Sequence, residues 1–405
     1  MSDPWLTIIG IGEDGVAGLS AASQAALSKA EVIMGPQRHL DLVVNNPLST
    51  SVPAGTDLIP WPVPFADGIA ILASLRGQRV AVLASGDPFW FGAGSTIARS
   101  FGRDEWTALP GPSSFTCAAN RLGWALEHVI CLGLHAAPFA RICKHLAPAQ
   151  QLLVTVRDGA AVLELARYLT ELDLGRSDVH VMERLGGPLE RVSSYRAESI
   201  AGTFEHPVLV GLYIAGNGPV LTTATGQSDD TFDHDGQITK RPIRAITLST
   251  LAPRPGEHLW DVGAGSGSVA LEWLLSAPMS TATCFEIRRD RADRIRANAA
   301  KLGVENALRV IEAPIPDVPE NSGITPPDAV FIGGGLTSET LDRAVGTLAR
   351  IVVNAVTLEG EALLAQAHAK HGGSLTRIAL SHAAPLGPKR GWQSSYPVVQ
   401  WSLEQ

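Results

Sequence analysis

Residues 257–273 read EHLWDVGAGSGSVALEW. The apolar run Glu257–Val262 has the look of a buried strand, and Val269–Ser276 has helical period. Between them Gly263, Gly265 and Gly267 make a glycine-rich strand-to-helix turn. Glycine lets a backbone turn tightly and approach a ligand closely, and the helix start beyond it aims its amides at that ligand. The alternation continues downstream. Strands are expected at Ala282–Ile287, Arg309–Ala313, Ala329–Ile332 (running into Gly333, Gly334 and Gly335) and Ile351–Ala355. Helices are expected at Arg289–Leu302, Ser338–Ala349 and Glu361–His371, with two final strands after them. This is the pattern of a doubly wound, Rossmann-like α/β domain.

The turn carries its own hint of chemistry. The dinucleotide fingerprint is G-x-G-x-x-G. Here the third glycine, Gly267, comes one position early, and Asp261 stands two before Gly263. An anion at that point repels a pyrophosphate but suits a cationic ligand. Glu286 ends the next strand, where a carboxylate can accept hydrogen bonds from both hydroxyls of a ribose. S-adenosylmethionine (SAM) fits these features better than a nicotinamide cofactor.

Upstream, three Gly/Pro-rich segments each follow an apolar run. They are Gly10-Ile11-Gly12-Glu13-Asp14-Gly15, Ser85-Gly86-Asp87-Pro88 and Pro110-Gly111-Pro112-Ser113-Ser114. Strands at Leu6–Ile9, Arg79–Ala84, Gln151–Val156, His180–Glu183 and Val208–Ile214 alternate with helical stretches, so an α/β fold with a mainly parallel sheet is expected. The three exits fit one crevice at the carboxyl ends of the strands.

At 405 residues the chain is long enough for two to four domains. Its net charge of -8 excludes a general nucleic-acid or acidic-membrane binder. The charge is unevenly placed: residues 1–216 carry 15 basic and 20 acidic residues, 217–236 carry four Asp and no base, and 237–405 carry 17 basic and 16 acidic residues. The middle stretch, polar and Gly-rich, reads as a linker or a surface lead-in. The domains are therefore set at 1–216 and 237–405, with 217–236 between them. Cys117, Cys131, Cys143 and Cys284 lack metal-binding spacing and read as free thiols in a reducing compartment. No basic leader with an apolar run opens the chain, and no stretch approaches the ~18 apolar residues of a membrane helix. A cytoplasmic location, without metal, membrane or nucleic-acid partner, is expected. His145, His258 and His382 are acid/base candidates only in principle; a core or surface place is favoured for each.

The stretch Asp235-Gly-Gln-Ile-Thr239-Lys240-Arg241-Pro-Ile-Arg244 ahead of DVGAGSGSVALEW, with PDAVFIGGG, VVNAVTLEGEALL and GWQSSYPVVQW behind it, resembles the class I SAM-dependent methyltransferases. The likeness is to the branch that acts on precorrins. The three N-terminal segments, in that order, resemble the tetrapyrrole methylase (class III) family, whose fold is two α/β subdomains with SAM between them. The order of class III then class I resembles the fused methyltransferases of cobalamin biosynthesis.

The resemblance implies a SAM-dependent C-methyltransferase with one SAM site per domain. In the C-terminal domain the SAM contacts would be Thr239, Gly263, Ala264, Gly265, Ser266, Gly267, Glu286 and Ala313. In the N-terminal domain they would be Glu13, Ser85, Gly86, Asp87, Ser113 and Ser114. Glu13 and Ser85 depart from the family's usual Pro and Gly. The implied reaction is methylation of precorrin-6B at carbons 5 and 15 with decarboxylation of the ring C acetate, giving precorrin-8. A homo-oligomer is expected. Precorrins are polycarboxylates, and Arg and Lys bind carboxylates, so Lys240, Arg241 and Arg244 are the candidate substrate ligands. No nucleophile–base pair stands out as catalytic. The alternative is a SAM methyltransferase for another substrate, its N-terminal domain a regulatory or scaffolding module.

Overall fold

The computed structural model describes residues 4–44, 52–317, 319 and 322–404; the first three residues, part of the stretch inspected for a leader, lie outside them. The chain divides into two compact units, 1–137 with 145–219 and 138–144 with 220–405.

The first unit holds two sheets. One is all parallel, ordered β3-β2-β4-β1-β5, from β1 (Leu6–Ile11), β2 (Val32–Gly35), β3 (Asp57–Pro60), β4 (Val80–Ser85) and β5 (Trp106–Leu109). Side chains alternate across a strand, so Ile9, Ile33 and Leu83 fill the core on one face while Ile8, Met34 and Val82 fill it on the other. Burial on both faces is why β1, β2 and β4 read as continuous apolar runs.

The second sheet departs from the expected parallel pattern. Its order is β6-β7-β10-β8-β9, from β6 (Ile130–Gly133), β7 (Gln151–Thr155), β8 (Asp178–Glu183), β9 (Arg191–Arg196) and β10 (Val208–Tyr213). Only β6 and β7 pair in parallel. A hairpin turns the chain back from β8 to β9, and β10 then enters between β7 and β8, antiparallel to both.

The second unit is built on a seven-stranded sheet ordered β13-β12-β11-β14-β15-β19-β16. Its parallel strands are β11 (His258–Val262), β12 (Thr281–Phe285), β13 (Leu308–Ile311), β14 (Ala329–Ile332) and β15 (Arg350–Ala355). Four strands, not two, end the chain. β16 (Ser374–Ile378) and β19 (Val398–Leu403) extend the sheet antiparallel, while β17 (Ser381–Leu386) and β18 (Lys389–Ser394) form a separate hairpin turned at Gly387. Trp260, Val262, Val330 and Ile332 pack on one face and Leu259, Ala329 and Phe331 on the other, each against helices, which makes the domain doubly wound.

The acidic stretch after residue 216 is not a free linker. From residue 220 it belongs with the second unit. Gln227 is buried, and Phe232, 2% exposed, packs among Leu271, Leu275, Ala299 and Leu302. Its polar composition hid this, because one aromatic and a set of specific ion pairs hold it down.

Candidate functional site

In the second unit β11 sits mid-sheet and delivers the glycine turn at its carboxyl end. Gly263, Gly265 and Gly267 have φ of +67°, +60° and +74°, the left-handed region that glycine enters freely. The turn is pinned from both neighbouring strands: the Gly263 amide donates to the Phe285 carbonyl at 2.9 Å and the Gly333 amide to the Val262 carbonyl at 3.0 Å. A methyl on Gly263 would lie 2.4–2.6 Å from the Gly334 backbone, so the ends of β11 and β14 meet glycine on glycine. A methyl on Gly265, in contrast, would find only the Gln237 carbonyl, at 3.6 Å. That side of the turn is open.

Two carboxylates attend the turn. Glu286, 4% exposed, accepts the Gly265 amide at 2.8 Å on one oxygen and the Arg288 amide at 3.0 Å on the other. Each oxygen keeps a second lone pair for a ligand hydroxyl. Asp261, 1% exposed, accepts the Ala270 amide at 3.1 Å on one oxygen, and its other oxygen has no partner among the described residues. Burial pushes its carboxyl up to about 7, the Ala270 amide pulls the other way, and the charge of Glu286 adds to the rise. The buried hydroxyl of Ser266 is likewise unpartnered. Such groups are costly unless something meets them, so a cationic, hydroxyl-bearing ligand fits this set of donors and acceptors.

Ala264 sits within the turn, Thr239 on the segment ahead of β11, and Ala313 two residues past β13. The Ala264 amide donates to the Phe285 carbonyl at 3.2 Å. Thr239 lies half-buried two residues after Gln237. Ala313 follows β13, whose Ile311 carbonyl accepts the Glu286 amide at 3.0 Å. The basic trio divides. Lys240 and Arg241 are exposed, Lys240 at 3.8 Å from Asp229. Arg244, expected to meet substrate carboxylates, is a correction: it is 0% exposed and its guanidinium is taken by Glu272 and Asp229. Two further histidines stand apart from chemistry. His258, at the opposite end of β11 from the turn, lies buried between the Thr281 and Thr283 hydroxyls, and His382 is exposed on the β17–β18 hairpin.

In the first unit the three Gly/Pro segments do converge. A methyl on Gly10 would stand 1.9 Å from the Gly86 carbonyl oxygen and 2.5 Å from the Gly111 nitrogen. The Gly111 amide donates to Gly86 at 3.1 Å and the Gly86 amide to Ile11 at 2.9 Å, so three strand exits close on one another through bare backbone. They line a cavity of about 340 Å³ together with residues of the second sheet, within the size range of small-molecule sites, about 300–1,000 Å³. Glu13, Ser85, Gly86, Asp87, Ser113 and Ser114 all border it.

Several of these side chains already have structural partners. Glu13 pairs with Arg38. The Ser85 hydroxyl lies 3.1 Å from His39 Nε2, and burial, aided by the Arg38 charge, lowers that imidazole to about 4, leaving it neutral. Asp87 accepts the Phe89 amide at 2.8 Å, and Ser113 caps the Ser114–Leu122 helix by accepting the Thr116 amide at 3.0 Å. Arg38, His206 and Thr155 were not legible as cavity residues from the sequence; Thr155 ends β7 with a buried hydroxyl that has no partner among the described residues. An apolar run marked β7 as a strand, but nothing local told which of its residues would border the cavity. Among the described residues no group of three His, Cys, Asp or Glu gathers as for a metal, and no helix is long and apolar enough to cross a membrane. Among the described residues Cys117, Cys131, Cys143 and Cys284 form no disulfide.

Two family models match the chain. Residues 5–201 match the family model of tetrapyrrole (corrin/porphyrin) methylases, and residues 230–405 that of the precorrin methyltransferase domain. A precorrin-6Y C(5,15)-methyltransferase (decarboxylating) of a Sinorhizobium species is 42% identical, over 98% of this chain and 96% of its own. The chain belongs to the precorrin-6Y C5,15-methyltransferase (decarboxylating) family. The Mycobacterium tuberculosis precorrin-6Y methyltransferase is 39% identical over 98% of this chain and 99% of its own. The crystal structure of the C-terminal domain of the Rhodobacter capsulatus precorrin-6Y methyltransferase is 46% identical over 46% of this chain and 100% of that domain, with a TM-score of 0.43. Precorrin-6Y methyltransferases serve cobalamin biosynthesis and are SAM-dependent.

Proposed function

We propose that each unit holds one SAM, that the first unit methylates carbon 5 of precorrin-6B, and that the second methylates carbon 15 and removes the ring C acetate carboxylate, giving precorrin-8. The observation that carries the reading is the half-satisfied Asp261 carboxylate behind an open glycine turn, with Glu286 beside it.

SAM, when bound, supplies a methyl group made electrophilic by its sulfonium. The residues do the rest. Asp261 places negative charge toward the cationic end of the ligand, and the open face of Gly265 admits it to the backbone. Glu286 accepts from ribose hydroxyls while its bonds to Gly265 and Arg288 keep the carboxylate oriented. Ala313 and the end of β13 border the adenine. In the first unit, Ser85 through Asp87 and Ser113–Ser114 form the wall of the cavity, and the Thr155 hydroxyl offers the unspent polar group. Lys240 and Arg241 remain available for the precorrin's carboxylates. Carbon-centred attack by an enamine-like ring carbon requires alignment more than a strong base. The electron pair left by departing carbon dioxide passes to the ring's own conjugated imines. This agrees with the lack of a nucleophile–base pair in either sequence motif.

Calorimetry of S-adenosylhomocysteine with the full chain tests the assignment. Two molecules bound per chain support two methylating units. One per chain makes one unit a regulatory or scaffolding module.

A further inference from the structure

The acidic stretch and the glycine turn are joined by two buried polar side chains that the reaction itself does not use. Arg244 lies in the first turn of the Arg241–Leu251 helix. Its Nε donates to Glu272 at 2.5 Å, one Nη to Asp229 at 3.0 Å and to the Thr239 carbonyl, and the other Nη to the Gln227 carbonyl at 2.6 Å. Its plane lies 4.9 Å from the Phe232 ring centre. Glu272, 1% exposed, belongs to the Ser268–Ser276 helix that the glycine turn starts, and it also accepts the Gly226 amide at 2.7 Å and the Gln227 amide at 2.9 Å.

Asn298, 2% exposed, makes the second link. Its amide nitrogen donates to the Asp233 carbonyl at 2.9 Å and to the Ser266 carbonyl at 3.1 Å, and its oxygen accepts the Asp233 amide at 2.9 Å. Ser266 lies inside the turn. One side chain therefore holds the strap and the turn together, while Arg244 holds the strap's two ends to the helix behind the turn. At the rim, Asp235 accepts from Arg291 at 2.9 Å, with Arg288 and Arg294 within 3.8 Å.

A buried ion pair is a poor source of stability, because desolvation offsets the attraction. Such a pair can instead select one arrangement. We propose that Arg244 and Asn298 are positioning residues for the second unit's SAM site: they hold residues 226–239 as a strap over the glycine turn and thereby set the place of Thr239. This rests on the reading that Thr239 and the turn hold SAM.

The test uses the full chain, with carbon-15 methylation, carbon-5 methylation and S-adenosylhomocysteine binding measured separately. Asn298→Ala is expected to raise KM for SAM in the carbon-15 reaction by about tenfold, the worth of one buried hydrogen bond. kcat at saturating SAM and the carbon-5 reaction stay unchanged. Arg244→Lys keeps the charge but not the fork, and is expected to act in the same direction, with Arg244→Ala worse than Arg244→Lys. Should either Arg244 variant fail to fold, Asn298→Ala still decides. Glu286→Gln separates the two claims. If it raises KM for SAM while Asn298→Ala leaves KM unchanged, or lowers kcat alone, the positioning role is overturned and the site stands. If neither variant moves KM, the reading of the site falls and the proposal with it.

Discussion

Asp261 in β11 and Glu286, the residue after β12, stand at the carboxyl ends of two neighbouring parallel strands, and the charge of Glu286 helps hold the Asp261 carboxyl up to about 7. The two are therefore coupled, and the coupling has a sign.

The folded chain keeps a proton on Asp261 that the unfolded chain has released between the ordinary value of 3.8 and about 7. Stability from this group is full below that window and is lost as pH rises through it. A cationic ligand favours the charged form. S-adenosylmethionine binding to the second unit should therefore strengthen by up to about tenfold per pH unit within the window and release a proton there. Calorimetry in buffers of different ionisation enthalpy reads the proton directly, and Asp261→Asn should abolish it. A pH-independent affinity with no proton release refutes the role.

Replacing Glu286 by Gln removes a charged acceptor while preserving shape. Loss of hydrogen bonds to a charged group, about 1.5–3 kcal/mol, should weaken S-adenosylhomocysteine at this site by roughly one to two decades. The same change should move the Asp261 titration toward lower pH. The first unit's binding serves as internal reference.

Two glycine substitutions should behave oppositely. Gly10→Ala forces a methyl within 1.9 Å of the Gly86 carbonyl oxygen, an overpacking that costs about 1–3 kcal/mol or more. Carbon-5 methylation should be lost together with stability of the first unit. Gly265→Ala meets nothing nearer than 3.6 Å and suffers only the penalty of its positive φ, about 1–2 kcal/mol. It should fold, yet lose SAM affinity because the methyl occupies the open face. Thermal unfolding beside ligand titration distinguishes the two.

Arg241 is exposed, its backbone amide donates to Asp229 at 3.0 Å, and among the described residues its side chain has no ion-pair partner. Arg241→Ala is expected to raise KM for the precorrin substrate far more than KM for SAM. Equal effects on both would remove it from the substrate's reach.

Much of the second unit was visible in the chain itself. The turn after β11, the carboxylate ending β12 and the alternation of strand and helix are local signals, carried by residues within one or two elements of each other. The three N-terminal exits were equally local, although their meeting at Gly10, Gly86 and Gly111 was only expected and is now a set of distances. Arg244 was misread for a physical reason. In Lys240-Arg-Pro-Ile-Arg244 nothing distinguishes a solvated cation from a buried one, because the deciding partner, Glu272, lies 28 residues away.

The sequence alone determined which backbone could turn and which strand ends could carry charge, since glycine content and hydrophobic period act at short range; the succession of two SAM-methyltransferase folds came from the resemblance of its motifs to those families. Only the tertiary structure decided that an acidic stretch is a strap, that one of three cations is internal, that the second sheet runs mostly antiparallel, and that Asp261 is half-satisfied. Those outcomes depend on which distant groups share a low-dielectric interior, and burial, unlike turn chemistry, is not a property of neighbours along the chain.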